Sequence, residues 1–466
     1  MKSAFWSPVL ALAALVASTG TARGQDRNGD RGFREDDVVL SWNWVMLEAD
    51  ATDHGQAAPD QGGPTRAARA YAIVSAAVFD ACNSITHKHR PYLTELQGFE
   101  RADKRAAVSS AAYHTLRELY PQQREAFDDA FDRWLRRIGN SDERTRGVAL
   151  GRRVAEAILA ARSDDGSDAP MNYTPTDKPG HHQVDPNNPN QGFLTPQWGD
   201  VDTFVIGDVN DFLSPPPPRL RSDEYAEAFE EVFLFGGDGV TTRTIRTREQ
   251  TEIGIYWGYD GRPGLGTPPR LYNQIARVIA KRKDNTVDEN ARLFGLMNLA
   301  LGDAGIQCWK TKYIYDFWRP IIGIRAGDDD GNRDTAGDPD WNPLGAPLTN
   351  GPPGAPNFTP PFPACTSGHA TFGAAALRVV GNFYGTDNIS FSFVSDEFNG
   401  INADQNGNVR PVVRRRFDSL REAIRENAQS RIYLGIHWQF DAQDGIRSGT
   451  EIADYVTSHA LQPRRR

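Results

Sequence analysis

Apolar residues recur at intervals of three and four along most of the 466-residue chain, and this spacing is the strongest constraint on its fold. Such intervals place side chains on one face of an α-helix. Alternation of period two, typical of strands, is scarce and never runs beyond about five residues. The chain is therefore predicted to be mainly α, with helices over 36–49, 65–86, 101–118, 121–138, 144–162, 222–236, 246–259, 268–283, 287–318, 367–384 and 417–461.

Two long segments, 163–221 and 326–365, interrupt this pattern and are rich in Pro, Gly, Asn and Asp. Segments of this kind are usually lids, pocket walls or ordered wraps. The first one predicts a division into an N-terminal helical half (25–165), a long connecting loop (166–221) and a C-terminal helical half (222–466). The same loop carries His181 and His182, which we interpret as structural.

The first 24 residues have the pattern of a secretory signal peptide: a basic start, an apolar run and small residues before Gln25. No later segment has eighteen uninterrupted apolar residues, so we expect a secreted or periplasmic protein that does not span a membrane. Three cysteines, Cys82, Cys308 and Cys365, cannot all pair, so at least one free thiol is expected. A net charge of −9 argues against nucleic acid as a partner.

Lys312 and Arg319 lie seven residues apart in a segment rich in Tyr, Phe and Trp, directly before Pro320. Seven residues are two helical turns, so the two cations are predicted to share one helix face, and Pro320 to stop or kink the helix. A pair of solvated surface charges is the alternative for this segment alone.

Ser367, Gly368 and His369 precede a helical run of small residues. Ser at this position predicts a helix N-cap, where free backbone N–H groups can bind an anion, and Gly368 allows close approach. His369 in the first turn is a candidate acid/base. Ordinary N-caps followed by histidine are also common.

In the third segment, Ser430 and Arg431 are followed by His437 and, four residues later, Asp441. On one helix the carboxylate can orient the imidazole and fix which ring nitrogen is free. A surface pair is the alternative here too. Together the three segments supply three cations, helix amides, a hydroxyl and two imidazoles, which predicts a pocket for a highly charged tetrahedral oxyanion.

The order Lys-x6-Arg-Pro, Ser-Gly-His and Ser-Arg-x5-His-x3-Asp resembles the superfamily of type 2 acid phosphatases and vanadium haloperoxidases. Over about residues 185–445 the chain looks most like the vanadium chloroperoxidases. The matching segments outside the three motifs are 184–190, 256–261, 266–270, 271–275, 303–306 and 360–364, and the match continues from the second motif through 369–373.

The resemblance implies two four-helix bundles with vanadate as the prosthetic group, and oxidation of chloride or bromide by hydrogen peroxide to hypohalous acid. By motif match, His437 should bind vanadium and His369 should deprotonate peroxide. Lys312 should also polarise the peroxide, and the residues expected to hydrogen-bond vanadate oxygens are Lys312, Arg319, Ser367, Gly368 and Arg431.

The resemblance also concerns five further positions. Asp260 should pair with Arg431, and Trp309 and Phe362 should flank the halide, although core packing also explains two aromatics. Phe362 stands where algal bromoperoxidases carry histidine, which favours chloride competence. Cys365 replaces an aromatic and Thr366 a proline of the family motif; a thiol facing the pocket would be oxidised, so we expect Cys365 to point away.

Two other functions fit the same motifs. A secreted acid phosphatase would use His437 as nucleophile and His369 as general acid. A catalytically silent oxyanion-binding protein would need the cations but not the imidazoles. The longer match outside the motifs, with Trp309 and Phe362, favours the peroxidase.

Overall fold

The computed structural model describes residues 37–464. The predicted signal peptide at 1–24 lies outside these residues. Nearly all of the regular secondary structure in the described chain is α-helical, so the prediction of a mainly α fold is confirmed. The helices are α1 (Val38–Asp53), α2 (Pro64–Thr86), α3 (Lys104–Leu119), α4 (Arg124–Ile138), α5 (Asp142–Ala161), α6 (Asp223–Phe235), α7 (Arg248–Tyr256), α8 (Pro268–Arg282), α9 (Val287–Tyr315), α10 (Pro320–Arg325), α11 (Gly368–Tyr384), α12 (Leu420–Tyr433) and α13 (Gln439–His459).

Two short strands form the one sheet within residues 37–464. Strand β1 (Phe391–Val394) pairs antiparallel with β2 (Arg414–Phe417), and Phe391 lies opposite Phe417. Their two rings stack with centroids 5.0 Å apart. This hairpin-like ribbon packs against α8 and α12 rather than organising the core.

The two predicted helical halves share one apolar core. Helix α9 packs against α2 from the first half and against α11 and α13 from the second. The largest cluster of buried apolar side chains includes Trp42 and Ile73 as well as Leu299 and Phe372, so it is continuous across the predicted boundary. The boundary itself stays a prediction.

The connecting segment 166–221 contains no α-helix and wraps over α9. Its fold is fixed by the buried carboxylate of Asp303, which accepts hydrogen bonds from the backbone N–H groups of Phe204, Val205 and Ile206. Two short 3-10 helices, Pro196–Asp200 and Val209–Phe212, lie in the same segment. None of the helices within 37–464 is long and apolar enough to cross a bilayer.

Two predicted helices are shortened or divided in the structure, while the others shift by a few residues at their ends. The predicted helix 287–318 ends at Tyr315, because Asp316 adopts a left-handed conformation (φ +52°) that closes the helix. The predicted helix 417–461 is interrupted at Gly435 (φ +71°), where an added Cβ would lie 2.5 Å from the Gly236 carbonyl oxygen. Both interruptions lie inside the predicted site and determine its geometry.

Candidate oxyanion site

The three predicted segments converge in the structure, and each brings its polar groups to a helix end. Lys312 lies in the last turn of α9, and Arg319 is the N-cap of α10. Ser367 is the N-cap of α11, and Arg431 lies in the last turn of α12. His437 lies between α12 and α13. All five residues are buried.

The prediction that Lys312 and Arg319 share one helix face is wrong, because α9 ends between them. Pro320 does not stop that helix; it is the first residue of α10. The chain reversal nevertheless brings both cations to the same loop. Lys312 Nζ donates hydrogen bonds to the carbonyl oxygens of Pro363 (2.8 Å), Ala364 (3.0 Å) and Thr366.

Arg319 reaches the same loop and continues to the imidazole. Its Nε donates to the Phe362 carbonyl oxygen at 2.8 Å, and its Nη1 donates to the Ile436 carbonyl oxygen at 2.7 Å. Nη1 also lies 2.9 Å from His437 Nε2, while the buried Nη2 has no partner in the described chain. Burial lowers the pKa of Arg319 to about 9 and that of Lys312 to about 8. The carbonyl oxygens that accept from Lys312 Nζ and Arg319 Nε favour the charged forms of both groups.

His437 is held as a neutral imidazole with a defined orientation. Its Nδ1 lies 3.0 Å from Asp441 Oδ2, so the hydrogen-bond network places the proton on Nδ1 and the lone pair on Nε2. Burial, with added repulsion from Arg319 and Lys312, lowers the pKa of His437 well below its ordinary value. The predicted pairing of Asp441 with His437 is present, but the prediction that both residues lie on one helix is wrong. His437 precedes α13, and Asp441 lies in the first turn of that helix.

His369 lies in the first turn of α11, where helix N–H groups have no intrahelical acceptor. Its Nε2 lies 2.6 Å from the Gly258 carbonyl oxygen and therefore carries the proton. Burial and the charge of Arg431 lower the pKa of His369 well below its ordinary value. The ring is neutral and can accept a proton.

The expected pairing of Asp260 with Arg431 is present. Arg431 Nη2 donates to Asp260 Oδ1 at 2.7 Å, and both side chains are buried. Nε and Nη1 of Arg431 are buried without a hydrogen-bond partner in the described chain. Burial raises the pKa of Asp260, although Arg431 opposes that rise. One edge of the guanidinium is thus fixed, and the remaining donors are available to a ligand.

These groups open into a cavity of about 510 Å³. Gly368, His369, Arg431 and His437 line its buried end, whereas Lys312, Arg319 and Ser367 lie behind the wall. The Ser367 hydroxyl instead accepts a hydrogen bond from the Ala370 N–H at 3.4 Å, as expected of an N-cap. Direct contact of these three side chains with an oxyanion therefore stays a prediction.

Trp309 and Phe362 both line this cavity, with ring centroids 4.7 Å apart. The Phe362 ring lies 5.0 Å from Lys312 Nζ and 4.9 Å from the Arg319 guanidinium carbon, so it covers both cations. Cys365 is buried in a separate apolar cluster with Trp438 and does not line the cavity, as expected. All three cysteines are free.

Comparison with known proteins decides the family. Residues 30–196 match the vanadium chloroperoxidase N-terminal domain, and residues 292–466 match the second helical-bundle domain of the same family. The chain is 36% identical to vanadium chloroperoxidase of Curvularia inaequalis, over 87% of this chain and 79% of that protein. The chain belongs to the vanadium chloroperoxidase family.

Solved structures share the fold of this vanadium chloroperoxidase family member. One is described as the first bacterial vanadium-dependent iodoperoxidase, with a TM-score of 0.74 and 22% identity over 92% of this chain and 97% of the other. Another is a holo-type bacterial vanadium-dependent chloroperoxidase, with a TM-score of 0.66 and 17% identity over 89% and 96%. Because the identities are only 22% and 17%, these two structures show that the fold is shared and nothing further.

The family name implies vanadate, and the buried groups fit such an anion. Three guanidinium nitrogens, Arg319 Nη2 and Arg431 Nε and Nη1, are buried without a partner in the described chain. Leaving buried charged donors unpaired is costly, so this arrangement favours an anionic ligand with several acceptor oxygens. The neutral His437 between them can supply a nitrogen lone pair.

Sequence reasoning missed several groups that hold this vanadium chloroperoxidase site in place. Tyr272 Oη and Asn427 Nδ2 both donate to the His369 carbonyl oxygen, at 2.9 and 2.8 Å. Tyr272 lies in a segment that carries the family resemblance, but Asn427 has no sequence signal. The Gly258 carbonyl oxygen could not be found from side-chain types at all.

Proposed function

We propose that this chain is a vanadate-dependent haloperoxidase that oxidises chloride or bromide with hydrogen peroxide to hypohalous acid. The observation that carries the proposal is the neutral His437, fixed by Asp441 and surrounded by unpaired buried guanidinium donors. Family membership supports the same assignment. The reaction consumes one peroxide, one halide and one proton, and yields one hypohalous acid and one water.

Bound vanadate supplies a Lewis-acidic centre at which peroxide is activated for two-electron oxidation of a halide. His437 would bind vanadium through Nε2, which requires Arg319 Nη1 to release that lone pair. The residues that would hydrogen-bond the oxygens are Lys312, Arg319, Ser367, Gly368 and Arg431. Lys312 would exchange a loop carbonyl for an oxyanion oxygen.

His369 would handle the proton. Its neutral ring accepts a proton from hydrogen peroxide and returns it when the second peroxide oxygen leaves as water. The Gly258 carbonyl oxygen, 2.6 Å from Nε2, holds the ring in place during both transfers. Trp309 and Phe362 would flank the halide, and their apolar surfaces would strip its hydration.

The test is halogenation of monochlorodimedone with peroxide by purified protein, with bromide and with chloride, with and without orthovanadate. The expected result is activity that depends on vanadate, halide and peroxide together. Hydrolysis of p-nitrophenyl phosphate is measured in parallel. A vanadate-loaded sample that hydrolyses this ester and oxidises neither halide would overturn the proposal in favour of an acid phosphatase.

We also propose export, as a secreted or periplasmic protein. The support is the basic start, apolar run and small residues in 1–24. N-terminal sequencing of protein isolated from the producing cells would find a start near Gln25. A cytosolic protein that retains Met1 would contradict this.

A further inference from the structure

The site cavity is larger and more apolar than a halide and a peroxide require. Its volume of about 510 Å³ lies in the range that holds organic ligands. Away from the buried end, the lining is mostly apolar: Leu194, Pro268, Leu348, Phe358, Pro360 and Pro361. An oxyanion of five heavy atoms, one halide and one peroxide leave most of this volume to another molecule.

A second arginine besides Arg431, Arg262, lines this cavity. Its side chain is half-buried, in contrast to the fully buried Arg431. Its Nε is buried without a hydrogen-bond partner, and its guanidinium forms no ion pair within residues 37–464. Burial lowers the pKa of Arg262 although Asp260 and Glu397 oppose that change. A charged donor in this state is stabilised when a ligand pairs with it.

The two carboxylates that act electrostatically on Arg262, Asp260 and Glu397, already accept hydrogen bonds from other groups. Asp260 Oδ1 accepts the hydrogen bond from Arg431 Nη2 at 2.7 Å. Glu397 Oε2 accepts from Arg410 Nη1 at 2.8 Å, and its Oε1 accepts from the Tyr259 backbone N–H at 3.1 Å. Both oxygens of Glu397 are thus occupied, whereas Asp260 Oδ2 is buried without a partner but forms no hydrogen bond with Arg262.

The loop that carries Arg262 is itself well fixed. The Arg262 carbonyl oxygen accepts from the backbone N–H groups of Leu265 and Gly266, both at 3.0 Å, and Gly261 N–H donates to the Gly266 carbonyl oxygen at 3.0 Å. A fixed backbone limits where the guanidinium can go. The guanidinium therefore stays within reach of the cavity that Arg262 lines.

We propose that the apolar part of the cavity binds an organic anion as the halogen acceptor, with its negative group on Arg262 and its apolar body along Leu194, Leu348 and Phe358. This rests on the proposed function for the supply of hypohalous acid. In the acceptor step a carbon–halogen bond forms as the halogen–oxygen bond breaks. The displaced hydroxide and the proton lost from that carbon leave as water.

Binding can be measured without turnover, on vanadate-loaded protein without peroxide. The probes are 4-hydroxyphenylacetate and its neutral analogue 4-hydroxyphenylacetamide, compared by isothermal titration calorimetry. We expect the carboxylate to bind about tenfold tighter than the amide, because a charge-assisted hydrogen bond is lost in the amide. Arg262→Gln should remove this preference and Arg262→Lys should restore part of it. The exposed Arg243, changed to Gln, is the matched control and should leave the preference intact.

Halogenation is then tested by competition between the two phenols in one tube with bromide and peroxide. The measured quantity is the ratio of brominated carboxylate to brominated amide. With the enzyme this ratio should be several-fold higher than with reagent hypobromous acid. In Arg262→Gln it should fall to the reagent ratio. Equal affinities, or a preference that survives Arg262→Gln, would overturn the acceptor site.

Failure of the site and failure of the proposed function give different results. If the loaded protein binds the carboxylate through Arg262 but oxidises no halide, the organic-anion site stands and the haloperoxidase proposal fails. If it brominates both phenols at the reagent ratio and binds neither selectively, the haloperoxidase proposal stands and the acceptor site fails.

Discussion

Asp441 Oδ2 lies 3.0 Å from His437 Nδ1 and also 3.0 Å from the backbone nitrogen of Trp438. One carboxylate oxygen thus caps the start of α13 and orients the imidazole that precedes it. The helix end and the ring orientation cannot change independently. Burial raises the pKa of Asp441 to about 7, whereas the Trp438 N–H, Lys312 and Arg319 favour its charged form.

Replacement of Asp441 by Asn should therefore weaken vanadate binding more than it weakens the fold. The amide oxygen of the new side chain can still accept the hydrogen bond from the Trp438 N–H. The hydrogen bond from His437 Nδ1 would then go to a neutral oxygen instead of a carboxylate. Loss of such an orienting carboxylate typically lowers metal affinity about 10- to 100-fold. The measurement is reactivation of vanadate-free protein across a vanadate titration, with the thermal midpoint recorded in parallel.

Asp444→Asn is the matched control for this substitution. Asp444 lies on the same helix and pairs with the side chain of Arg447 rather than with the site. Its substitution should leave vanadate affinity unchanged. Equal losses in the two variants would show that Asp441 acts only through helix stability.

Arg431→Lys should also weaken vanadate binding, by about tenfold or more. Lysine keeps the charge but lacks the planar fork that pairs with Asp260 while presenting further donors. The unpartnered Nε and Nη1 are the donors that this substitution removes. The exposed Arg425 on the same helix, changed to Lys, is the control. An unchanged vanadate affinity in Arg431→Lys would show that charge alone holds the anion.

His369→Ala should separate binding from turnover. The ring donates to Gly258 and lies at the buried end of the cavity, so its loss removes the acid/base group but few anion contacts. Loss of general acid–base catalysis usually costs about 100- to 10,000-fold in rate. We expect kcat for bromide oxidation to fall in that range while vanadate affinity changes much less. An oxyanion-binding protein without catalysis would show no turnover in either form.

The residue types of the site could be predicted from the sequence because oxyanion binding restricts them to Arg, Lys, His and helix N-caps. Ser367 as N-cap and the pairing of Asp260 with Arg431 are both present. The first follows from local helix chemistry. The second, between residues 171 positions apart, came only from the family resemblance.

The local geometry could not be predicted where a helix ends within an apolar pattern. Asp316 and Gly435 interrupt predicted helices, and both adopt positive φ values that depend on packing against distant residues. The spacing of Lys312 and Arg319 therefore predicted a shared helix face that does not exist. The backbone carbonyl oxygens that hold Lys312 come from a loop about fifty residues away and leave no periodic signal.

Phe362→Ala should lower chloride oxidation more than bromide oxidation. The ring covers both Lys312 and Arg319, and its removal lets water reach these cations and the halide path. A lost cation–π contact is worth about 0.5–2 kcal/mol, or roughly 2- to 30-fold. Chloride is the harder halide to oxidise and the more strongly hydrated one, so kcat/KM for chloride should fall further. Phe398→Ala is the control, because its ring lies 5.9 Å from the Arg410 guanidinium carbon and does not line the cavity. An unchanged chloride-to-bromide ratio in Phe362→Ala would contradict the role of Phe362.

His182→Phe should flatten the dependence of stability on pH below about 6.5. His182 is buried beside Tyr173 and Phe193, and both of its ring nitrogens lack hydrogen-bond partners within residues 37–464. Burial lowers its pKa well below the ordinary value of 6.5. Below pH 6.5 the unfolded chain binds a proton at this position that the folded chain does not, so stability falls as pH decreases, by up to about 1.4 kcal/mol per pH unit.

Phenylalanine carries no proton and fits among the same aromatic rings, so the variant should lose this part of the pH dependence and gain stability at every pH. Urea unfolding at pH 7.5, 6.5 and 5.5 measures both effects. The exposed His459, changed to Gln, should keep the wild-type dependence. The buried His369 and His437 remain in all variants, so the slope of unfolding free energy against pH should decrease without vanishing. An unchanged slope in His182→Phe would mean that His182 is protonated in the folded protein.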